Sequence, residues 1–420
     1  MVARESIERQ LAARGLPGLP RTAWLELDLD ALSANLAVLR DVVGAGVRIE
    51  PVVKADAYGH GAVPIARALE RAGADGVGVA TLDEAVELRD AGVRLPILVL
   101  YPVPVDQLPT AAELGISVAV GGGTALERAL AVAADLYAAN PGARPLDLHL
   151  EVETGLGRGG VPAADVARSV SVIQSARGVR LDGIWTHVAA ADDLPRTRDQ
   201  DERFAAAVGG LGEAVELGAA AARRHFAASG VVLAADAPRY DAIRVGLSIY
   251  GLIPDGLEPP TETETAAARL RPVMRLVARP VRVAELPVGH GVSYGPSFVT
   301  ARPSRIATLP IGYGDGWRRA LSDRAHALVR GIRVPLVGRV SMDAVMADVT
   351  DVPGRPITEE DEFILLGRQG NEVVTAHQLA ATCGTISYEI VTGMSRRVPR
   401  VYHAAGSPVE IRLLAGGRTE

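Results

Sequence analysis

The chain has 420 residues, of which 48% are apolar and 22% charged, with a formal net charge of -6. That profile excludes a disordered or fibrous chain and predicts a globular protein of two or three domains. It shows no basic stripe, which argues against nucleic acid and for a small-molecule partner. The single cysteine, Cys383, has no intramolecular partner for a disulfide. The charged N-terminal stretch lacks the apolar core of a secretion signal, and runs such as 96–101 are too short to cross a bilayer. These features predict a cytoplasmic enzyme that binds no membrane.

Residues 1–20 read as an N-terminal extension, and the run 24–29, which alternates apolar and acidic residues, reads as a strand that pairs with a later domain. Eight short β-like runs follow, at 47–54, 76–81, 96–101, 116–120, 146–153, 183–188, 224–229 and 242–247. Most are continuously apolar, as strands buried on both faces of a parallel sheet are. Amphipathic stretches lie between them: 82–91 stopped by Gly92, then 161–176, then 203–222, which is interrupted by glycines. Eight strands alternating with helices over about 200 residues predict a closed (β/α)8 TIM-type barrel rather than a doubly wound sheet. The barrel domain, with its leading strand, is assigned to 21–260. Residues 252–268, rich in Pro, Thr and Glu, read as a linker. Beyond it, β-branched runs at 272–286, 305–310, 327–340, 345–349 and 363–366 predict a second, β-rich domain over 266–420.

Barrel chemistry sits at the carboxyl ends of the strands. Lys54, in VVKADAYGHG (52–61), stands where the first barrel strand ends. Desolvation there lowers the pKa of an amine and suits it to a covalent bond with a carbonyl cofactor, although a lone lysine is more often a solvated loop residue. Tyr58, with glycines at 59 and 61, offers a phenol and permissive backbone to a phosphate. The segment EVETGLGRGG (151–160) follows the fifth strand and carries Arg158, a fork able to grip a carboxylate. GIWTHV (183–188) brings His187; a metal site there is the poorer reading, because no His or Cys follows at ligand spacing. HFAASG (225–230) and IRVGL (243–247) end the seventh and eighth strands, where barrels often bind phosphate, and supply Ser229, Arg244, Gly246 and Leu247. GHGVSYG (289–295), IGYGDGW (311–317) and GRVSMD (338–343) place Tyr294, Tyr313 and Met342 in the second domain.

These eight blocks, in this order, resemble those of the alanine racemases, fold-type III enzymes that use pyridoxal 5'-phosphate (PLP), over residues 24–402. The resemblance implies that Lys54 carries the cofactor and acts as the base on one face of the substrate's α-carbon. Tyr294 then acts on the other face, entering from the partner subunit of a head-to-tail homodimer. A free phenol has a pKa near about 10, so neighbouring positive charge must help Tyr294 act near neutrality. Arg158 would bond the cofactor's phenolic oxygen and the substrate carboxylate. His187 would lie beside the cofactor ring and orient Arg244, which faces the pyridine nitrogen. An arginine donates a hydrogen bond without surrendering its proton, so the ring is a weaker electron sink, as suits simple inversion. Tyr58, Ser229 and the amides of Gly246 and Leu247 would hold the phosphate. Tyr313 and Met342 would line the substrate site, and Arg319 and Asp192 the access channel. The product, D-alanine, would supply cell-wall peptidoglycan.

Three positions depart from the family pattern. Glu151 replaces a lysine that is often carbamylated, and its carboxylate is expected to orient Arg158 without carbon dioxide. Ala228 stands where an asparagine often precedes the phosphate serine. Arg396 occupies a usual tyrosine position, which leaves open a racemase of serine or other small amino acids, or an inhibitor-tolerant variant. A non-catalytic PLP-binding protein shares the barrel but lacks a second domain with a tyrosine base. A fold-type III decarboxylase shares both domains but carries a cysteine motif that Cys383 does not match.

Overall fold

The structure, a computed structural model, describes residues 5–211, 222–234 and 239–415. The chain forms two compact units, one of residues 32–57 and 65–271, the other of 1–31, 58–64 and 272–420.

The first unit is a parallel barrel. Its strands, in chain order, are Arg48–Ile49, Val77–Val79, Ile97–Val99, Ser117–Val120, Leu146–Glu153, Val179–Trp185, Arg223–Ala228 and Ala242–Arg244. Each pairs with its neighbour in sequence, and the eighth pairs back to the first. Closure between the first and second is made by a bridge of Val52 to Gly78, with Val53 N donating to Gly78 O at 2.8 Å. All eight predicted runs therefore become barrel strands. The strands are short and almost wholly buried, because helices cover the outer face and side chains fill the interior.

Two expectations change here. The first strand does not run to residue 54. It ends early, and Lys54–Tyr58 forms a turn whose Ala55, Asp56, Ala57 and Tyr58 have φ of 53, 55, 53 and 52°. The stretch read as a linker contains a helix, Thr261–Arg269. Its Ala267 and the following Leu270 pack on Val38 and Leu233. Asn35 fastens its far end, donating to Ile249 O and Arg271 O and accepting from Arg271 N at 2.8 Å. The helix Leu194–Gly209 covers the start of the predicted 203–222 stretch, whose residues 212–221 lie outside the described ones.

The second unit is built on a largely antiparallel sheet. The early strand Ala23–Asp28 lies within it, antiparallel to Met274–Ala278 and parallel to Arg400–Ala404. Glu26, the acidic residue of the alternation that becomes buried, accepts from Arg275 Nη1 at 2.8 Å and from Trp24 Nε1 at 3.3 Å. The unit also holds short helices that no apolar periodicity announced, among them Ala376–Cys383 and Ser387–Thr392. The first of these two is started by a Thr375/Gln378 capping box.

Candidate active site

Lys54 stands just beyond the first barrel strand on the left-handed turn. L-residues pay about 1 kcal/mol each for that conformation, so the turn must be held from outside. Glu84 holds it. One carboxylate oxygen accepts from Ala55 N at 2.6 Å, and the other accepts from Ala80 N and Thr81 N at 2.8 and 3.2 Å. Burial lowers the pKa of the Lys54 amine, the positive charge of Arg158 lowers it further, and Glu84 opposes both. The result is an amine more readily neutral, and hence nucleophilic, than a solvated lysine.

Arg158, His187 and Arg244 come from the ends of the fifth, sixth and eighth strands, close enough to act on one another and on Lys54. Burial, then Arg244, Arg158 and Lys54, push His187 down to about 3, so its imidazole is neutral near pH 7. Arg158 lies 3.9 Å from Glu151 and over the ring of Tyr101, 5.3 Å from its centroid. Burial raises the Glu151 carboxyl above the ordinary carboxylate range, against the pull of Arg158 and Arg244. Arg244 is fully enclosed. Burial lowers it to about 10, opposed by Glu50 and Glu151, which leaves it protonated near neutrality.

The partners of Arg244 correct one expectation. Its Nη1 donates to His225 Nδ1 at 2.6 Å and His225 O at 3.0 Å, its Nη2 donates to Thr186 O at 2.7 Å, and its plane covers the Trp185 ring at 4.6 Å. Among the described residues His187 makes no hydrogen bond with it. His187 follows the sixth strand, whereas His225 is on the strand next to that of Arg244. The orienting histidine is His225.

Ser229 begins the short helix Ser229–Leu233, and its Oγ accepts from Gly246 N at 3.0 Å and Ser248 N at 3.3 Å. Ser248, absent from the sequence reading, is buried with its own Oγ unpartnered among the described atoms. Leu247 opens the helical turn Leu247–Tyr250. Asp192 also belongs to this unit, near Gly256.

In the other unit Tyr58 is buried 6.2 Å from the ring of Tyr388, and burial together with Tyr388 raises its pKa, so its phenol stays a donor. Tyr294, Tyr313 and Met342 stand out as exposed large side chains, at 75, 44 and 52%. Their loops are tied together: Ser293 Oγ donates to Arg339 O at 2.6 Å, Tyr313 N to Ser341 O at 3.0 Å, and Gly314 N to Met342 O at 2.9 Å. Arg319 reaches Val340 O of the same loop at 3.4 Å. Arg396 is exposed.

The family model of the alanine racemase N-terminal domain matches residues 27–254, and that of the C-terminal domain matches 273–402. The chain belongs to the alanine racemase family. It is therefore an isomerase of the amino-acid racemase type. The alanine racemase of Symbiobacterium thermophilum is 42% identical over 388 residues, which span 91% of this chain and 97% of that one. Among solved structures, the alanine racemase of Clostridium difficile 630 superposes with a TM-score of 0.84 at 30% identity, covering 94% of this chain and 99% of that one. An alanine racemase from a D-cycloserine-producing Streptomyces lavendulae gives 0.81 at 37% identity, over 92 and 98%. No helix among the described residues is long and apolar enough to cross a membrane.

The residues at the barrel mouth fit PLP. The desolvated Lys54 amine stands with Arg158 and Arg244, and Glu50, Glu84 and Glu151 are the anions that act on these groups. An aldehyde suits the desolvated amine, and an anionic group suits the two arginines.

Proposed function

We propose that the chain interconverts L- and D-alanine with bound PLP, using Lys54 and Tyr294 of the partner subunit as bases on opposite faces of the α-carbon. The observation that carries this reading is the desolvated Lys54 amine beside Arg158 and Arg244 at the mouth of the barrel. Bound PLP supplies the sink for the electron pair left when the α-proton departs. Lys54 Nζ removes or returns that proton on one face. Arg158 holds the substrate carboxylate, and Glu151 sets the direction of its fork. His187 stays neutral and adds no positive charge beside the cofactor ring. Arg244 donates a hydrogen bond without yielding its proton, which limits the electron sink and favours inversion over side reactions. Ser229 and the amides of Gly246 and Leu247 keep the phosphate role that the family resemblance gives them, as does Tyr58.

Exposure of Tyr294, Tyr313 and Met342 supports a head-to-tail homodimer in which this surface completes the neighbouring site. Large apolar and aromatic groups gathered in the open mark interaction surfaces. On this reading the chain works in the cytoplasm and supplies D-alanine for peptidoglycan.

The test is conversion of either alanine enantiomer by the purified holoenzyme, followed by chiral chromatography. Lys54→Ala and Tyr294→Phe should each lose turnover. Dissociating and remixing the two variants should restore about a quarter of wild-type activity, because half the dimers are mixed and each then holds one intact site. No recovery on mixing would overturn the shared site. A panel of small L-amino acids decides the substrate range: turnover confined to alanine removes the broader reading prompted by Arg396.

A further inference from the structure

Beneath Arg244 the interior of the barrel is polar, which the racemase chemistry at its mouth does not explain. His225 Nε2 lies 2.8 Å from His149 Nδ1, and His149 Nε2 lies 3.1 Å from Asp182 Oδ2. Asp182 in turn accepts from Arg223 Nη2 at 2.6 Å, and Arg180 stands 3.7 Å away. Both histidines are completely buried. Arg223 opens the seventh strand and Arg244 closes the eighth, so the line of contacts runs along the barrel from one end to the other.

The proton positions in this line follow from its two ends. Arg244 has only N–H groups to offer, so it can bond His225 only while Nδ1 is bare, and the other end of the line must hold the proton on Nε2. His225 then carries its proton on Nε2 and donates to His149 Nδ1. His149 carries its proton on Nε2 and donates to the Asp182 carboxylate. Against the effect of burial, that hydrogen bond, with Arg223 and Arg180, holds Asp182 well below the ordinary carboxylate range. Burial, then Arg244, His149 and Arg223, keep His225 neutral. Any other proton order sets an N–H of one histidine against an N–H of the other or of Arg244; at the far end Arg223 Nη2 also lies 3.4 Å from His149 Nε2, where both donate to the Asp182 carboxylate.

The surroundings are shaped for this line. A Cβ on Gly183 would lie 2.4 Å from His149 Nδ1 and 3.0 Å from His225 Nε2. Trp185 stacks on His225 and lies under Arg244. Among the described residues no group of three or more His, Cys, Asp or Glu is placed to hold a metal ion.

We propose that His149 and Asp182 are positioning residues for Arg244: they fix the tautomer of His225, so that Arg244 is held as a charged donor from the far end of the barrel. The kinetic part of this proposal rests on the racemase reading above; the proton order does not.

The experiment is nitrogen NMR of [15N]histidine-labelled holoenzyme near neutral pH, with steady-state kinetics of Asp182→Leu, His149→Phe and His149→Asn. Wild-type His225 should show a bare, pyridine-type Nδ1 and a protonated, pyrrole-type Nε2. Asp182→Leu should mix or reverse these. Asp182→Leu and His149→Phe should lower kcat roughly tenfold, the size of one charge-assisted hydrogen bond, with KM held within about twofold. His149→Asn, which can still accept from His225, should recover most of kcat. A proton on Nδ1 of wild-type His225 overturns the proposal without any variant. So does an unchanged kcat, or a rise in KM alone, in the two disruptive variants. Failure of the holoenzyme to racemise any amino acid would remove the racemase reading, while the wild-type spectrum would still decide the proton order.

Discussion

Acid should destabilise this protein through His187, by an amount that the site itself sets. The imidazole is held at about 3 against an ordinary value of 6.5, first by burial and then by Arg244, Arg158 and Lys54. A histidine with a lowered folded pKa costs nothing above the unfolded value. As the pH falls below that value the unfolded chain takes up a proton that the folded chain refuses, and the stability is lost until the pH reaches the folded value. From the two pKa values, the loss between about pH 7.5 and about pH 5 is about 2 kcal/mol. His187→Gln keeps a neutral polar side chain and removes the titration. The assay is urea unfolding of wild type and variant at both pH values, at one protein and one cofactor concentration. His225 is also held low, but it is common to both proteins and cancels in the difference. The variant should lose about 2 kcal/mol less than wild type on acidification. Equal losses in the two proteins would refute the assignment of a neutral, charge-encircled His187.

Glu84→Ala should cost about 2–3 kcal/mol in urea midpoint, because three backbone N–H groups, those of Ala55, Ala80 and Thr81, lose a charged acceptor. The same change should move the pH–rate limb that belongs to Lys54 to lower pH, since Glu84 is the group that raises its pKa. Gly61→Ala should lower the melting temperature sharply and cost more than about 2 kcal/mol, since φ is +98° and the new Cβ would sit 1.9 Å from Tyr402 Oη. Stripping bicarbonate should leave turnover within about twofold, a loss well under 1 kcal/mol, because Glu151 already supplies a carboxylate 3.9 Å from Arg158; strong inhibition reversed by added bicarbonate would count against it. Removing the cofactor should lower the melting temperature by about 5 °C if it binds about a thousandfold above its dissociation constant, as differential scanning calorimetry would show.

The barrel was legible because its strands are buried on both faces. That makes each a short apolar run such as Ile97–Val99, bounded by glycine or a helix, and the spacing of eight such runs permits one closed topology. The strand Ala23–Asp28 was legible as a strand and as a partner of later residues from its alternation alone. Less visible was anything that depends on a single distant contact. The helix Thr261–Arg269 begins after prolines and is rich in Thr and Glu, so its local propensity reads as loop; burial of Ala267 and Leu270 and the side chain of Asn35 make it a helix. The left-handed turn after Lys54 has no glycine until residue 59, and it is Glu84, thirty residues on in sequence, that supplies its anchor.

The same distinction separates the candidate residues that the sequence marks from those it does not. Lys54, Arg158 and Arg244 sit in Gly-rich or strand-terminal motifs that mark them as chemical. His149, Asp182 and His225 lie inside strands, where a lone polar residue reads as a satisfied core group. The available signal was their conjunction. Polar side chains on adjacent strands inside a barrel are not left unpaired, because a buried group with an unmade hydrogen bond costs roughly 1–3 kcal/mol. They satisfy one another, and the two imidazoles meet where Gly183 has no side chain, since a Cβ there would crowd both rings. A glycine in mid-strand beside buried histidines is therefore the sequence mark of a polar line through the barrel, and its direction is set by the arginine at one end and the aspartate at the other.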